Sequence, residues 1–468
     1  MRVRKAKGRS AVRDKNLDMT RGVIWKNLLV FFLPILAGNF FQQFYTTADA
    51  VIVGQFVGKN GLAAVDSVYS LLKLPINFFV GLSGGAAIII SQFFGAGKKR
   101  ELLDAVHTVV AFGLAGGALL SVIGAATAPA CLRWLDVPED IFPLTLSYVR
   151  IYYAGFVFSM LYNIGAGILR AVGNSQTPFC VLVVSGGVNV VLDLIFVGLF
   201  RWGVSGAALA TAAAQMVSAL LVLNALNEKN GVGRFSVRQA RFHRPALRSI
   251  VCLGLPVGLQ ASLYPVANMM IQGAANGTGT NNIAAWALCG KLDFVIWLAA
   301  DSLAAAISTF VAQNYGAGQF ARVRRGVLVG LGMTISLVAA LSAALYLWNE
   351  PLGRLFVNPS DHDVIPIMAE LMRFLSPLYF VYVFGEVRSA AIRGAGETLR
   401  PMLLTLAATC ASRVLWILFV VPRNRELLTI VASYPVSWAL TAVSFAVYYR
   451  IFVRKRLMSP AEETTGSY

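Results

Sequence analysis

The segment Gln92-Phe-Phe-Gly-Ala-Gly97 ends one long apolar run, and it recurs 221 residues later as Gln313-Asn-Tyr-Gly-Ala-Gly318 at the end of another. Two further pairs of segments keep nearly the same offset: Leu62-Ala-Ala-Val65 with Ile283-Ala-Ala-Trp286, and Arg170-Ala-Val-Gly-Asn-Ser-Gln-Thr-Pro178 with Arg393-Gly-Ala-Gly-Glu-Thr-Leu-Arg-Pro401. Chance similarity between glycine- and alanine-rich helices explains one such pair, but not three in the same order. The chain is therefore predicted to be a duplication of one structural unit.

The composition places this unit in a membrane. Of the 468 residues, 57% are hydrophobic and only 13% are charged, and the mean hydropathy is +0.67. A soluble domain carries about a quarter charged residues, so the composition excludes a soluble enzyme. The five cysteines are single and scattered, which indicates neither a disulfide framework nor a thiolate metal site.

Twelve apolar runs are long enough to cross a bilayer, which takes roughly 20 residues for each helix. The second half opens with one uninterrupted run that the turn-rich segment Asn276-Gly-Thr-Gly-Thr-Asn-Asn282 divides, so we predict a helical hairpin there. The predicted spans cover residues 27–48, 74–97, 108–132, 151–169, 171–192, 202–227, 249–275, 283–312, 326–349, 365–388, 401–422 and 427–449.

The predicted fold is an all-α polytopic membrane protein of two six-helix bundles around a central cleft. Because six is even, both bundles enter the membrane from the same side and are related by an axis along the membrane normal, as in some secondary transporters. The predicted divisions are a basic tail (1–26), a first bundle (27–227), a linker (228–248), a second bundle (249–450) and a second tail (451–468).

Basic residues set the orientation, because loops rich in Lys and Arg near helix ends stay in the cytoplasm. With the N-terminus inside, the predicted inner segments hold 28 Lys and Arg and the outer loops hold six, a bias that one miscounted span would destroy. We therefore expect a bacterial inner-membrane protein with both termini cytoplasmic. The basic residues behind the net charge of +18 lie in the loops that flank the bilayer, so we expect contact with lipid and not with nucleic acid. We also expect the protein to be a monomer.

A longer motif lies on the first span, where Pro34 is followed by Gly38-Asn-Phe-Phe-Gln-Gln-Phe-Tyr-Thr-Thr-Ala-Asp-Ala50. With twelve spans, parallel repeats and the two Arg-to-Pro loops, the chain resembles the multidrug and toxic compound extrusion (MATE) family over about residues 25–450. The resemblance implies an antiporter that exports drug-like amphipathic organic cations in exchange for protons or sodium ions, by alternating access and without a cofactor. The motif loop of the major facilitator superfamily, another 6+6 fold, is missing.

Ionisable residues within spans are costly to insert, so each needs a reason. Asp49 closes the first span, Asn189 and Asp193 are i, i+4 neighbours on the fifth, and Thr211 lies on the sixth. Their two carboxylates, amide and hydroxyl offer the oxygen ligands that suit sodium. The two carboxylates also suit a proton, because neighbouring negative charges in a low dielectric repel each other.

The resemblance assigns these four residues to the cation-coupling site of the DinF-like branch of the family. Gln42, Tyr148 and Asn163 match polar residues around that site, and Gln42 and Tyr45 share one helical face with Asp49. Ordinary hydrogen bonding between helices explains Gln42, Tyr148 and Asn163 equally well.

Two interior prolines stand at equivalent positions of the repeats, Pro34 and Pro256. Each removes a helix hydrogen bond and promotes a kink, so we predict a role in conformational change, with a static bend as the alternative. Six further charged residues within spans are expected to form structural ion pairs or to line a cavity: Lys73, Lys291, Asp293, Asp301, Glu386 and Arg413.

Two other functions fit parts of the sequence. A lipid or polysaccharide flippase of the same superfamily would share the fold, but Asp49 and the set Asn189, Asp193 and Thr211 argue against this function. An intramembrane transferase would need metal-binding carboxylates or a His with a nearby acid, and the single trace is Asp361-His-Asp363 in a predicted outer loop. We therefore predict a transporter and not an enzyme.

The predicted topology can be tested by cysteine labelling. In a background with the five native cysteines replaced by Ser, a cysteine at Ser236 should react with an impermeant maleimide from the cytoplasmic side alone, and one at Thr278 from outside alone. Labelling of intact cells and of inside-out vesicles measures both. Reversed accessibility at either position contradicts the twelve-span orientation.

Overall fold

The structure is a computed structural model that describes residues 16–227, 240–357 and 363–458, apart from the side chains of residues 69–71. In these ranges eleven helical segments are long and apolar enough to cross a membrane. A further pair of helices, bent by 46° at Gly155, passes the same test together and makes the twelfth span. The prediction of an all-α protein with twelve spans is confirmed.

The first half consists of eight helices, and a short π-helical stretch (Leu194–Leu199) extends the seventh. They are α1 (Ile24–Phe56), α2 (Lys59–Asp66), α3 (Tyr69–Gly95), α4 (Lys99–Trp134), α5 (Phe142–Ala154), α6 (Phe156–Ala171), α7 (Gln176–Asp193) and α8 (Gly203–Asn227).

The described residues of the second half form nine helices, and four of its spans contain a break, a kink or an irregular turn. They are α9 (Arg244–Asn276), α10 (Thr280–Gly316), α11 (Phe320–Arg354), α12 (Val364–Leu375), α13 (Tyr379–Gly394), α14 (Leu399–Thr405), α15 (Ser412–Phe419), α16 (Leu427–Val431) and α17 (Ser433–Arg456). Most of the predicted linker, residues 228–239, lies outside the described residues, as do most of the two predicted tails. The predicted domain division therefore stays a prediction.

The helices extend beyond the predicted spans at most ends, because charge-free runs stop where Lys and Arg begin while the helices continue into the polar boundary. The fourth predicted span, 151–169, is the bent pair α5–α6, which starts at Phe142. The short helix α2 was not predicted, since eight residues with a lysine at the start carry no span-like signal.

Each half places the first part of its leading helix in the other half's core. Leu28, Phe31 and Phe32 of α1 are buried in the apolar cluster built mainly from α10 to α17. In the same way Ala246 and Ile250 of α9 are buried in the cluster of the first half. The halves are thus interlocked at the end of the molecule where α1 and α9 begin.

Glycines bring α3 and α9 into backbone contact between the halves. A Cβ atom on Gly85 would lie 2.3 Å from the Cα of Gly254, and one on Gly81 would lie 2.7 Å from the Cα of Gly258. Within each helix the two glycines are spaced i, i+4, which is the small-residue pattern that lets membrane helices approach closely. We call these four residues the glycine seam, and Pro256 lies within it.

The repeated segments quoted first form a second contact between the halves. A Cβ atom on Gly95 would lie 1.9 Å from the carbonyl oxygen of Gln313, and the equivalent glycine of the second segment is as close to Gln92. The Gln92 amide donates to the Gly394 carbonyl at 3.0 Å, and the Gln313 amide donates to the Ala171 carbonyl at 3.0 Å. We call this pair of side-chain contacts the glutamine latch.

The chain that precedes α1 crosses the same end of the molecule. The Leu17 amide donates to the Gly173 carbonyl at 3.2 Å in the first half. The Met19 amide donates to Gln313 Oε1 at 3.1 Å, and the Met19 carbonyl accepts from Asn314 Nδ2 at 3.2 Å in the second half. This N-terminal strap therefore joins both halves beside the glutamine latch.

The glycine seam predicts an unusually severe effect for a small substitution. Gly85→Ala should lower the unfolding temperature of the purified protein, because its methyl group meets backbone atoms, and overpacking of this kind costs about 1–3 kcal/mol. Gly332→Ala on α11 is the matched control, since a Cβ atom there meets nothing within 4 Å. Thermal unfolding followed by size-exclusion chromatography measures both, and equal melting temperatures for the two variants contradict the seam.

Candidate functional site

The first half encloses a cavity of about 440 Å³. Its walls come from every helix of that half except α4, and residues of α1 from Pro34 to Val53 run along its whole length. At 1.5 Å for each helical residue, that stretch is about 28 Å long. We call this space the N-half cavity. A lining that long accommodates chemically different groups at its two ends.

Two carboxylic acids meet at the end of the N-half cavity that is distant from Pro34. Asp49 of α1 lines the cavity, and its carboxyl group is close enough to that of Asp193 of α7 for a hydrogen bond between them. Asp193 is fully buried, and Asn189 Nδ2 donates to its Oδ2 atom at 3.2 Å. Two carboxylates this close are stable only when a proton or a cation lies between them.

Three oxygen atoms of this group have no hydrogen-bond donor among the residues that the structure describes. They are Asp49 Oδ1, Asp193 Oδ1 and Asn189 Oδ1, all buried. Buried oxygens normally have partners, so three together without one are exceptional. Hard oxygen ligands of this kind suit a sodium ion, and a shared proton would satisfy the two acids equally.

The other residues predicted for the site surround this pair. Thr211 lines the same cavity, and its hydroxyl donates to the Ala207 carbonyl at 3.0 Å, which leaves its oxygen free to accept. Gln42, Tyr45 and Tyr148 also line the cavity. The structure therefore brings these side chains, from α1, α5 and α8, to one space.

Asn163 and the two prolines occupy different places. Asn163 of α6 lines the N-half cavity, and its amide donates to the Ser159 carbonyl at 2.8 Å. Pro34 lines the cavity at the end distant from Asp49. Pro256 is buried in the glycine seam and lines no part of this cavity.

Three charged residues of the cavity were not predicted as part of the site. Asp66 ends α2, Lys73 lies near the start of α3, and Arg170 lies in the last turn of α6, and all three line the N-half cavity. Arg170 opens one of the repeated Arg-to-Pro segments, and Lys73 was predicted to form a structural ion pair or to line a cavity. Only the folded arrangement of α2, α3 and α6 shows that they share one space.

Most of the remaining intramembrane charges belong to the second half, and several have partners. The Tyr379 hydroxyl donates to Asp293 at 2.9 Å, and Lys291 lies over the Phe356 ring at 5.7 Å. Asp301 and Glu386 line a separate cavity of about 320 Å³.

Arg413 is fully buried without a carboxylate partner among the described residues. It donates to Asn268 at 2.6 Å and to Ser437 at 3.0 Å, and its guanidinium lies 4.2 Å from the centre of the Tyr434 ring. Neutral hydrogen-bond partners and an aromatic face thus replace the ion pair that was one of the expected arrangements. The site considered for a transferase cannot be placed, because Asp361 and its neighbouring His362 lie outside the described residues.

The chain is similar in sequence to known transport proteins. The family model MatE matches the chain twice, over residues 34–195 and 256–417. The chain is 26% identical to the probable multidrug resistance protein YoeA of Bacillus subtilis (strain 168), over 92% of this chain and 95% of that protein. It is 24% identical to a FAD transporter of Shewanella oneidensis, over 78% of this chain and 82% of that protein.

A solved structure has the same fold. The outward-facing conformation of a multidrug resistance MATE family transporter of the MOP superfamily superposes with a TM-score of 0.88 at 22% identity, over 96% of this chain and all of that chain. The double match of the family model also agrees with the duplication that the repeated segments predict.

Proposed function

This chain belongs to the MatE family, and on that premise we propose that it is a secondary active multidrug efflux antiporter. It exports amphipathic organic cations in exchange for protons or sodium ions, by alternating access of the cleft. The chain is a multi-pass membrane protein. Its basic loops support a place in the bacterial inner membrane with both termini in the cytoplasm.

The contact between the carboxyl groups of Asp49 and Asp193 carries the proposal. Two unit charges about 4 Å apart repel by roughly 4 kcal/mol at the effective dielectric constant of a partly buried site. A bound proton or sodium ion removes this repulsion and holds α1 against α7. When the cation leaves, the repulsion separates the two helices, so occupancy of the pair is linked to the position of α1.

The organic cation and the coupling ion both interact with the carboxylate of Asp49. The carboxyl group of Asp49 lies between the N-half cavity, which it lines, and the carboxyl group of Asp193. A cationic substrate near Asp49 therefore competes with the coupling ion for one negative charge, and each weakens the binding of the other by the same factor. Exchange of one for the other across the membrane follows from that reciprocity.

The contacts between the halves support a conformation closed on the cytoplasmic side. The glutamine latch, the N-terminal strap and the interlocked helices all lie at the end where α1 and α9 begin, which the basic residues place in the cytoplasm. Opening towards the cytoplasm then requires the two latch hydrogen bonds to break. The N-half cavity alternates between the two sides as the latch closes and opens.

Removal of the charge at the carboxyl pair tests the coupling. Asp49→Asn keeps the size and hydrogen bonding of the side chain but holds no exchangeable cation, so substrate binding should survive while ion-driven efflux falls to background. Asp193→Asn should behave in the same way. The double variant should be little worse than either single one, because groups that act as a unit are not additive.

The measurement is efflux driven by a sodium gradient alone and then by a pH gradient alone, in proteoliposomes with matched protein amounts. The matched control is Asp140→Asn, at an exposed position between α4 and α5, and it should keep wild-type efflux. Full activity of Asp49→Asn removes the pair from the mechanism.

A second prediction concerns the bend of α1. Pro34 lies inside this helix and lines the cavity, so Pro34→Ala restores a backbone hydrogen bond and stiffens the helix. Expression and unfolding temperature should stay near wild type while the rate of efflux falls several-fold. Initial rates in the same proteoliposomes measure this effect. A wild-type rate would mean that the proline serves packing alone.

A further inference from the structure

The N-half cavity contains a positive charge that the proposed export of organic cations does not use. Arg170 lines this cavity, and it also lines an adjoining cavity of about 210 Å³ together with Ile35 and Ser91. It therefore lies near the Pro34 end of α1, far from the carboxyl pair. In the part of the chain that the structure describes, Arg170 has neither a carboxylate within ion-pair distance nor a hydrogen-bond acceptor, and the Tyr162 phenol is its titratable neighbour.

The duplication supplies an internal comparison for this arginine. Helix α6 (Phe156–Ala171) and helix α13 (Tyr379–Gly394) are equivalent at an offset of 223 residues, which pairs Arg170 with Arg393. In α13, Arg393 donates to Glu386 at 2.7 Å and to Ser389 at 2.6 Å, so its charge is neutralised within the helix.

The first half lacks both of these partners. Asn163 stands at the position equivalent to Glu386, and Ala166 stands at the position equivalent to Ser389. Both arginines lie in the last turn of their helix, where the helix dipole offsets part of a positive charge. Because the dipole is common to both, it does not account for the difference between the halves.

An arginine that faces a cavity inside a membrane without a partner is a functional feature by default, because its burial is expensive. Guanidinium binds a carboxylate through two parallel hydrogen bonds, and one unpaired guanidinium matches one monovalent acid group. Tyr162 is a neighbour of Arg170, and Phe179 and Asn163 line the same cavity, so aromatic faces and an amide are available there. These groups suit an aromatic body that carries a positive charge of its own.

We propose that Arg170 binds a carboxylate group of the transported molecule, so that the N-half cavity selects amphipathic organic zwitterions over simple organic cations. This inference rests on the proposed efflux function and specifies its substrate class. The carboxylate pairs with Arg170 at the Pro34 end of the cavity, and the cationic aromatic body lies against the neighbouring rings.

A pair of related dyes tests the proposal. Rhodamine B is a zwitterion with a free carboxylate, and its ethyl ester is a cation with the same ring system. Binding of each dye to purified protein, measured by fluorescence polarisation, should favour the free acid in wild type. Arg170→Gln should reduce that preference by about 10- to 100-fold, as expected for the loss of a charge-assisted hydrogen bond, while affinity for the ester changes little.

Asn163→Glu is the second variant, because it keeps the arginine and installs the carboxylate that neutralises Arg393 in the other half. It should abolish the preference for the free acid as Arg170→Gln does. Arg100→Gln, which removes an exposed charge at the start of α4, is the control and should keep the wild-type preference. Retention of the preference in both cavity variants, or an equal loss of both dyes in both, overturns the proposal.

Transport of the same dyes separates this inference from the proposed function. Ion-driven efflux of both dyes with no dependence of selectivity on Arg170 refutes the role of the arginine and leaves the antiporter intact. Flux of the free acid that depends on Arg170 but on no ion gradient refutes the antiport and supports the carboxylate site.

Discussion

Apolar side chains gain little when they leave lipid for protein, so membrane helices are held together by close backbone packing and by polar contacts. This chain meets that constraint with the glycine seam between α3 and α9 and with the glutamine latch. Both join the two halves. The seam consists of glycines, and the glutamines of the latch lie where Gly95 and Gly316 allow the two backbones to approach closely. The N-half cavity lies beside these contacts, inside the first half.

Polar groups in the membrane divide into two kinds in this molecule. Arg413, Asp293 and Arg393 each have hydrogen-bond partners within the second half. The carboxyl oxygens of Asp49 and Asp193 and the guanidinium of Arg170 lack such partners among the described residues. These three residues belong to the first half. After the duplication the two bundles therefore differ in their polar residues at equivalent positions, as Asn163 and Glu386 show.

The sequence predicts the number of spans and the duplication, because hydropathy and repeated segments are local properties of the chain. It also predicts the pairing of Asn189 with Asp193, which follows from helical spacing. Their approach to Asp49 came from the family resemblance and not from spacing. The exchange of leading helices and the place of Arg170 in the cavity depend on contacts between distant helices, so no local pattern reveals them. Alignment of the repeats would have shown from the sequence alone that Asn163 replaces Glu386, the residue that pairs with the equivalent arginine.

The N-terminal strap has a consequence for how the protein is made. Met19 is synthesised long before its partners, because its backbone bonds to side chains 294 and 295 residues later in the chain. Until α10 has entered the membrane, the strap has no docking site in the second half, and the buried face of α1 around Phe31 has only lipid to cover it. The strap therefore reaches its final position only after most of the chain has been synthesised, and a chain that ends before α10 lacks the strap's partners in the second half.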